Sequence, residues 1–231
     1  MFDKVRIDTE MADNGINEIE GQVRSRVLDA AERLFCEKGF DGTSIRDLTA
    51  EAECNLAAVN YHFGGKEKLY MEVFRRRMLA MRDYRISVIN EVMSGGQGQV
   101  RLEDLLGAFV KAFIQPFVEE KGGVRFTKLM AREMFEPHLP RSVILEEMVF
   151  PVLTVLEEAL AKVCPGLDGD KAVLCIHSLI GQLLHVIRTR EVFAGVEGQR
   201  LAIGDLGQVI GHIVKFSAAG IRAAGKAGQQ D

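Results

Sequence analysis

The sequence has no tryptophan, 5 prolines and 4 cysteines in 231 residues. So few prolines leave room for long uninterrupted helices. Cys36, Cys54, Cys164 and Cys175 form no CxxC pair and no zinc-ligand spacing. They read as four small hydrophobes, with a redox switch as the alternative. Long hydrophobic runs are missing too. In the C-terminal half the longest stretch free of Asp, Glu, Lys and Arg is Ala172 to Ile187, 16 residues with two histidines. That is short of the roughly 18–20 apolar residues that cross a bilayer, so no membrane partner is expected. Asp3, Asp8, Glu10, Asp13, Glu18 and Glu20 give the first twenty residues the wrong composition for a signal or transit peptide, and a cytoplasmic location is expected. Residues 100–230 lack a P-loop, a dinucleotide fingerprint, a nucleophile elbow and an HExxH site. No cofactor, no metal and no catalytic residue is therefore expected.

What is present is 47% hydrophobic and 27% charged, ordinary for a globular chain of one or two domains. The net charge of −4 is uneven: residues 1–21 carry −4, residues 22–86 carry +2 and residues 87–231 carry −2. Distribution matters more than the sum for a nucleic-acid partner, and the second segment is the positive one.

The expected class is all-α. Residues 1–20 show no helical period and read as a flexible acidic lead. From Gln22 to Lys38, Val23, Val27, Ala30, Ala31, Leu34 and Phe35 follow a 3.6-residue repeat, and Gly39 sits where a left-handed residue ends a helix. Thr43 or Ser44 starts a short second helix, with Ser44 and Asp47 at capping-box spacing. Asn55 caps a third, whose buried side is Ala58, Val59 and Phe63 and which Gly64-Gly65 stops. A long helix from Lys66 to about Met93 and a hinge at 94–99 follow. Further helices are expected over Leu102–Glu119, Val124–Glu136, Arg141–Val163, Lys171–Phe193 and Ile203–Ala223, with Pro116 kinking or ending the first. The domain division is a helix-turn-helix domain at 21–66, a connecting helix at 67–93, a ligand-binding and dimerisation domain at 100–224, and a flexible tail at 225–231.

Two short helices behind a support helix make a helix-turn-helix, whose second member enters a major groove about 12 Å wide. Its exposed face would be Leu56, Ala57, Asn60, Tyr61 and His62. Asn60 can pair bidentately with adenine, Leu56 and Ala57 can touch a thymine methyl, and Tyr61 and His62 can donate to phosphates. Ser44 and Asn55 open the two helices at the same surface. Lys66 and Thr43 each stand at a helix start, where free N–H groups also favour phosphate. Phe63 reads as core, and Arg75-Arg76-Arg77 as a solvated helix face rather than a phosphate clamp.

The run Val27-Leu-Asp-Ala-Ala-Glu-Arg-Leu-Phe-Cys-Glu-Lys-Gly-Phe-Asp-Gly-Thr-Ser-Ile-Arg-Asp-Leu48, followed by Asn55-Leu-Ala-Ala-Val-Asn-Tyr-His-Phe-Gly-Gly-Lys-Glu-Lys-Leu69, resembles the TetR family of bacterial regulators. The resemblance implies an α-helical dimer that binds double-stranded operator DNA and releases it when a small molecule enters the C-terminal domain. It further implies that Thr43, Tyr61 and Lys66 hold phosphates and that the Leu56–His62 face reads bases. Two positions depart from the pattern: Glu53 replaces the usual Gly of the turn, and Gly65 replaces the usual side-chain cap.

In the C-terminal half, polar residues interrupt apolar helices: Arg132 and Glu133, then His177, Gln182, His185 and Arg188. Buried polar groups need partners, from the protein, from water or from a ligand. An internal network is the plain reading, and all six are candidates for an effector pocket. The Arg-Glu-Met-x-x-Pro stretch and Gly181-Gln182 resemble the CecR-like subgroup of the TetR family, which implies control of efflux and drug-tolerance genes. Gly204, Gly207, Gly211 and Ala218 recur at spacings of three, four and seven. Such a small-residue ridge suits close helix approach, across a two-fold axis or within the chain. The expected protein is a dimeric repressor that binds a palindromic operator and is released by an apolar or amphipathic effector. The alternatives are a helical ligand-binding adaptor without sequence-specific DNA binding and, from a third class, an enzyme using Glu133 and His185 as acid and base.

Overall fold

The computed structural model describes residues 2–95, 100–118, 123–192 and 205–227. The described residues contain helices and no strand. In chain order the helices are α1 (Phe2–Lys38), α2 (Ile45–Glu51), α3 (Leu56–Phe63), α4 (Lys66–Gly95), α5 (Leu102–Val118), α6 (Gly123–Phe135), α7 (Arg141–Ile144), α8 (Phe150–Val163), α9 (Gly169–Val192) and α10 (Leu206–Ala227). A single wider turn of π-helix, Leu145–Val149, joins α7 to α8. The chain divides into two compact units: Met1–Arg77 with Val124–Pro140, and Met78–Gly123 with Arg141–Asp231.

The first unit is built on local signals that the sequence carries openly. Gly39 has φ 77°, so α1 ends on a left-handed glycine whose N–H donates to the Phe35 carbonyl at 3.0 Å. Ser44 accepts from the Asp47 N–H at 3.1 Å while Asp47 accepts from the Ser44 N–H at 3.0 Å, a complete capping box with Asp in the Glu position. Hydrogen bonds from Ser44 and Lys38 hold the Asp47 carboxyl down at about 2. The box is therefore intact above the ordinary Asp range and is lost only as pH falls through that value. Asn55 accepts from the Ala58 N–H at 2.8 Å and starts α3, which Gly64 ends at φ 70°. The apolar sides of these helices, Val27, Leu34, Phe35, Leu48, Val59 and Phe63, close a small core.

Several expectations change here. The acidic segment 1–20, read as a flexible lead, is helical from Phe2 onward as part of α1. It holds no proline to interrupt a helix. Pro116 lies inside α5, which reaches Val118, so of the two expected effects of this proline the helix end is not the one seen at residue 116. Within the stretch 100–224, residues 124–140 pack with the first unit rather than with the second. Arg132 Nη2 donates to the Glu37 carbonyl at 3.1 Å, Cys36 Sγ donates to the Arg125 carbonyl at 3.0 Å, and Tyr70 Oη donates to Glu133 at 2.9 Å. At the other end of the chain α10 extends to Ala227, inside the expected tail. Of the expected hinge, Ser94 and Gly95 finish α4, and residues 96–99 lie outside the described ones.

The second unit packs Leu105, Leu106 and Phe109 of α5, Leu156 and Leu160 of α8, Leu179 and Leu183 of α9, and Ile213, Ala218 and Ile221 of α10 into one core. A fork between Arg222 and Glu103, at 2.6 and 2.7 Å, ties α10 to the start of α5. Within α9, Gly169–Thr189 is long and apolar enough to cross a membrane by length and composition, at mean hydropathy 1.4. The charge-free run counted in the sequence is shorter because Asp170, Lys171 and Arg188 fall inside this helix. Its Ile176, Leu179 and Leu183 are buried in the unit's own core.

Candidate nucleic-acid interface

Because Val59 and Phe63 point into the core of the first unit, the opposite side of α3 is fixed in solvent. Leu56, Ala57, Asn60 and Tyr61 are exposed there, Tyr61 at 75%, and His62 is half-buried with its ring 5.1 Å from that of Tyr61. Ser44 and Asn55 are exposed, but their acceptor oxygens already serve the helix N–H groups of their own caps.

Thr43 does not fit its expected part. Its side chain is 0% exposed, and its hydroxyl donates within α1's C-terminal turn, to the carbonyls of Leu34 at 3.2 Å and Gly39 at 2.7 Å. It locks the end of α1 to the start of α2 and presents no hydroxyl outward. Lys66 is half-buried at the start of α4 with its ammonium 4.2 Å above the Phe40 ring, a cation–π seat that holds the charge near a helix N-terminus.

Two cations were missed in the sequence. Arg46 on α2 is exposed and makes no ion pair among the described residues, whereas Arg33 is paired to Glu51 and Lys38 to Asp47. Arg26 is likewise exposed and unpaired, and lies close enough to Cys54, just before α3, to oppose the rise of that thiol's pKa by burial. The signal that finds them is subtractive: they are what remains after the acids of α1 and α2 take their partners. The same subtraction removes Arg75, Arg76 and Arg77 as a clamp. Arg75 pairs with Glu72, Arg76 with Asp29 and Glu32, and Arg77 with Glu32. Burial works against ionised Glu32, but hydrogen bonds from Arg77 and Arg76 outweigh it and lower its pKa.

Glu53 stands in the left-handed region at φ 50°, so the turn between α2 and α3 keeps the conformation that glycine favours. Glu53→Gly is expected to raise stability by about 1 kcal/mol, read as a higher denaturation midpoint without change in slope.

The interior polar candidates separate. Glu133 is 6% exposed and accepts from Tyr70 Oη at 2.9 Å, the His138 N–H at 2.8 Å and the Leu139 N–H at 2.7 Å. Arg132 is exposed apart from its bond to Glu37. Both belong to the first unit, where Glu133 is spent on protein donors. In the second unit His177, His185 and Arg188 face solvent on α9, and Gln182 donates to the Ser178 carbonyl and Ser217 Oγ, both at 3.3 Å. They are surface residues of the unit, not its interior. Among the small residues, Ala218 is buried in the unit's core, Gly211 is half-buried, Gly207 is exposed, and Gly204 lies outside the described residues. Ala218 thus serves packing within the chain. The exposed stripes of these two helices hold Leu174 and Leu184 on α9 and Phe216 on α10. All four thiols are free, and burial raises the pKa of each, Cys36 to about 11. None has the lowered pKa of a reactive thiol.

Two family profiles match successive parts of the chain. The family profile "Bacterial regulatory proteins, tetR family" matches residues 27–73. The profile of the C-terminal domain of the HTH-type transcriptional dual regulator CecR matches residues 102–221. The dual regulator CecR of Shigella flexneri is 25% identical over 183 residues, 71% of this chain and 74% of that protein. A probable regulator of Bacillus subtilis, YttP, is 40% identical over 43 residues, and the chain spans only 21% of its length. Among solved structures, a TetR-family assignment from Mesorhizobium loti superposes with TM-score 0.62 at 21% identity, covering 88% of this chain and 96% of that one.

Proposed function

We propose, for a chain that belongs to the TetR family of bacterial transcriptional regulators, a homodimer that binds a palindromic operator through α3 and leaves it when a small effector binds the second unit. The observation that carries this is the exposed stripe Leu56, Ala57, Asn60 and Tyr61 on a helix capped at both ends and buried behind. Asn60 reads a base edge, Leu56 and Ala57 meet thymine methyls, and Tyr61, Lys66, Arg26 and Arg46 hold phosphates. The relatives are regulators rather than enzymes, and Glu133, the acid an enzyme would need, is already spent on three donors. Bacterial regulators of this kind work in the cytoplasm, where the operator is.

The dimer surface is the pair of stripes on α9 and α10, bridged within the unit by Gln182 and Ser217. Leu174→Asp with Phe216→Asp is expected to leave the fold intact and convert the dimer to a monomer in sedimentation velocity, because it buries unpaired carboxylates at a two-fold contact. Repression follows where the operator overlaps a promoter. The dual regulator named among the relatives favours a second reading, in which the same dimer activates at other sites. An effector that weakens DNA binding about a hundredfold needs near 2.7 kcal/mol of differential affinity for the two states.

Selection of randomised duplex DNA by the purified protein, at about physiological salt, tests the reading. Enrichment of a palindrome supports it. Equal weak retention of all sequences would leave the adaptor alternative standing.

A further inference from the structure

Arg85, on the part of α4 that belongs to the second unit, is 5% exposed. A guanidinium presents five N–H donors and stays charged at any physiological pH. Here Nη2 reaches only the Phe113 carbonyl, at a long 3.3 Å, and Nε is buried with no partner. The plane lies over the Phe113 ring, 4.1 Å from its centroid. Among the described residues no carboxylate lies within ion-pair distance of it. Burial alone pulls its pKa down to about 10, with no neighbouring charge contributing.

Its neighbours on the helix are already committed. Arg82, one turn earlier, pairs with Asp83 and donates to the Glu147 carbonyl at 3.0 Å, inside the π-helical turn. Tyr84 donates to Gln115 at 2.9 Å. The π-turn is a wider winding that recurs at functional sites. Beside Arg85, Phe109, Phe113 and Phe117 form an aromatic row along α5, with ring centroids 5.9 and 6.3 Å apart. A buried cation without a counter-charge is among the costliest arrangements in a protein interior. A ring face offsets part of that cost and leaves the donor edge of the fork unused.

We propose that Arg85 anchors the effector of this regulator, and that the effector is an organic carboxylate with an aromatic or aliphatic body. The carboxylate takes the unused edge of the guanidinium as a charge-assisted pair, and the body lies at the half-buried Phe117 end of the phenylalanine row. This rests on the reading of the chain as an effector-responsive regulator and narrows its amphipathic effector to an anionic one.

Matched probes separate the carboxylate from its body: 2-naphthoate against 2-naphthamide, and octanoate against octanamide. Binding to the full-length protein is followed by calorimetry, and the Arg85 Nε–H resonance by NMR, assigned by its loss in Arg85→Met. At least one acid is expected to bind roughly tenfold to a hundredfold more tightly than its amide and to shift that resonance. Arg85→Met removes the preference while still melting cooperatively. Arg85→Lys, which keeps charge but not the fork, retains only part of it. Equal affinity of every acid and its amide, no binding by any of the four, or an acid preference that survives in Arg85→Met would overturn the proposal. The two readings fail separately. Palindrome selection without acid preference removes only the anionic effector. Acid preference that needs Arg85, in a protein that selects no DNA sequence, removes the regulator and leaves the site.

Discussion

Tyr61→Ala is expected to abolish operator selection while leaving the melting curve of the protein unchanged. The side chain is 75% exposed, with its ring beside that of His62, so its loss from the free protein changes stability by no more than about 0.5 kcal/mol. A hydrogen bond to a charged phosphate is worth roughly 1.5–3 kcal/mol, and a two-fold dimer makes it twice. The loss in affinity is therefore at least about a hundredfold. Tyr61→Phe separates the hydroxyl from the ring and is expected to give most of the same loss if the contact is to phosphate. Affinity for the selected palindrome, measured across a salt series, checks both variants. A neutral hydroxyl releases no counterion, so affinity falls at every salt concentration while the slope stays that of the unsubstituted protein. Unchanged affinity in Tyr61→Ala would detach α3 from DNA recognition.

Glu133→Ala should do the reverse, lowering stability first and DNA binding only as a consequence. Removing this carboxylate strands the Tyr70 hydroxyl and the N–H groups of His138 and Leu139 in the interior of the first unit. Each unsatisfied donor costs about 1–3 kcal/mol, so a total near 3–5 kcal/mol is expected. That is a large share of the 5–15 kcal/mol that typically holds a domain together. Glu133→Gln keeps one acceptor oxygen for the two backbone donors and should recover more than half of the loss. Denaturant midpoints for the three proteins, together with near-ultraviolet dichroism of Tyr70 and its neighbours, measure the effect. A loss below about 1 kcal/mol in Glu133→Ala would show that water or a relaxed turn replaces the carboxylate.

The contrast between these residues shows what a sequence exposes and what it hides. Caps and turns rest on neighbours in the chain, so Gly39, Ser44 with Asp47, Asn55 and Gly64 are readable one by one, and with them the exposed face of α3. Glu133 was visible as a polar residue in an apolar helix, yet its partner Tyr70 is 63 positions away, and no local pattern names it. Thr43 failed for a subtler reason. A hydroxyl at a helix start looks the same in sequence whether it faces a phosphate or the carbonyls of the preceding helix, and here Leu34 and Gly39 take it. Of the small residues, Ala218 is buried and packs inside the chain, a use that its spacing from Gly207 and Gly211 does not distinguish from a two-fold contact. Arg85 gave no sign at all, since one arginine among the charged residues of a long helix is unremarkable until its surroundings are known to be apolar.

The placement of α6 with the first unit has a consequence for building hybrid regulators. Residues 124–140 leave the second unit's stretch of chain, complete the first unit with Glu133, His138 and Leu139, and return. A fusion that joins residues 1–77 to a foreign effector domain therefore carries Tyr70 without its acceptor and Cys36 without the Arg125 carbonyl. The exchangeable part is two segments rather than one. A sensor made by cutting once, at the end of the helix-turn-helix, inherits a headpiece with an open side. Grafting 124–140 along with it closes that side.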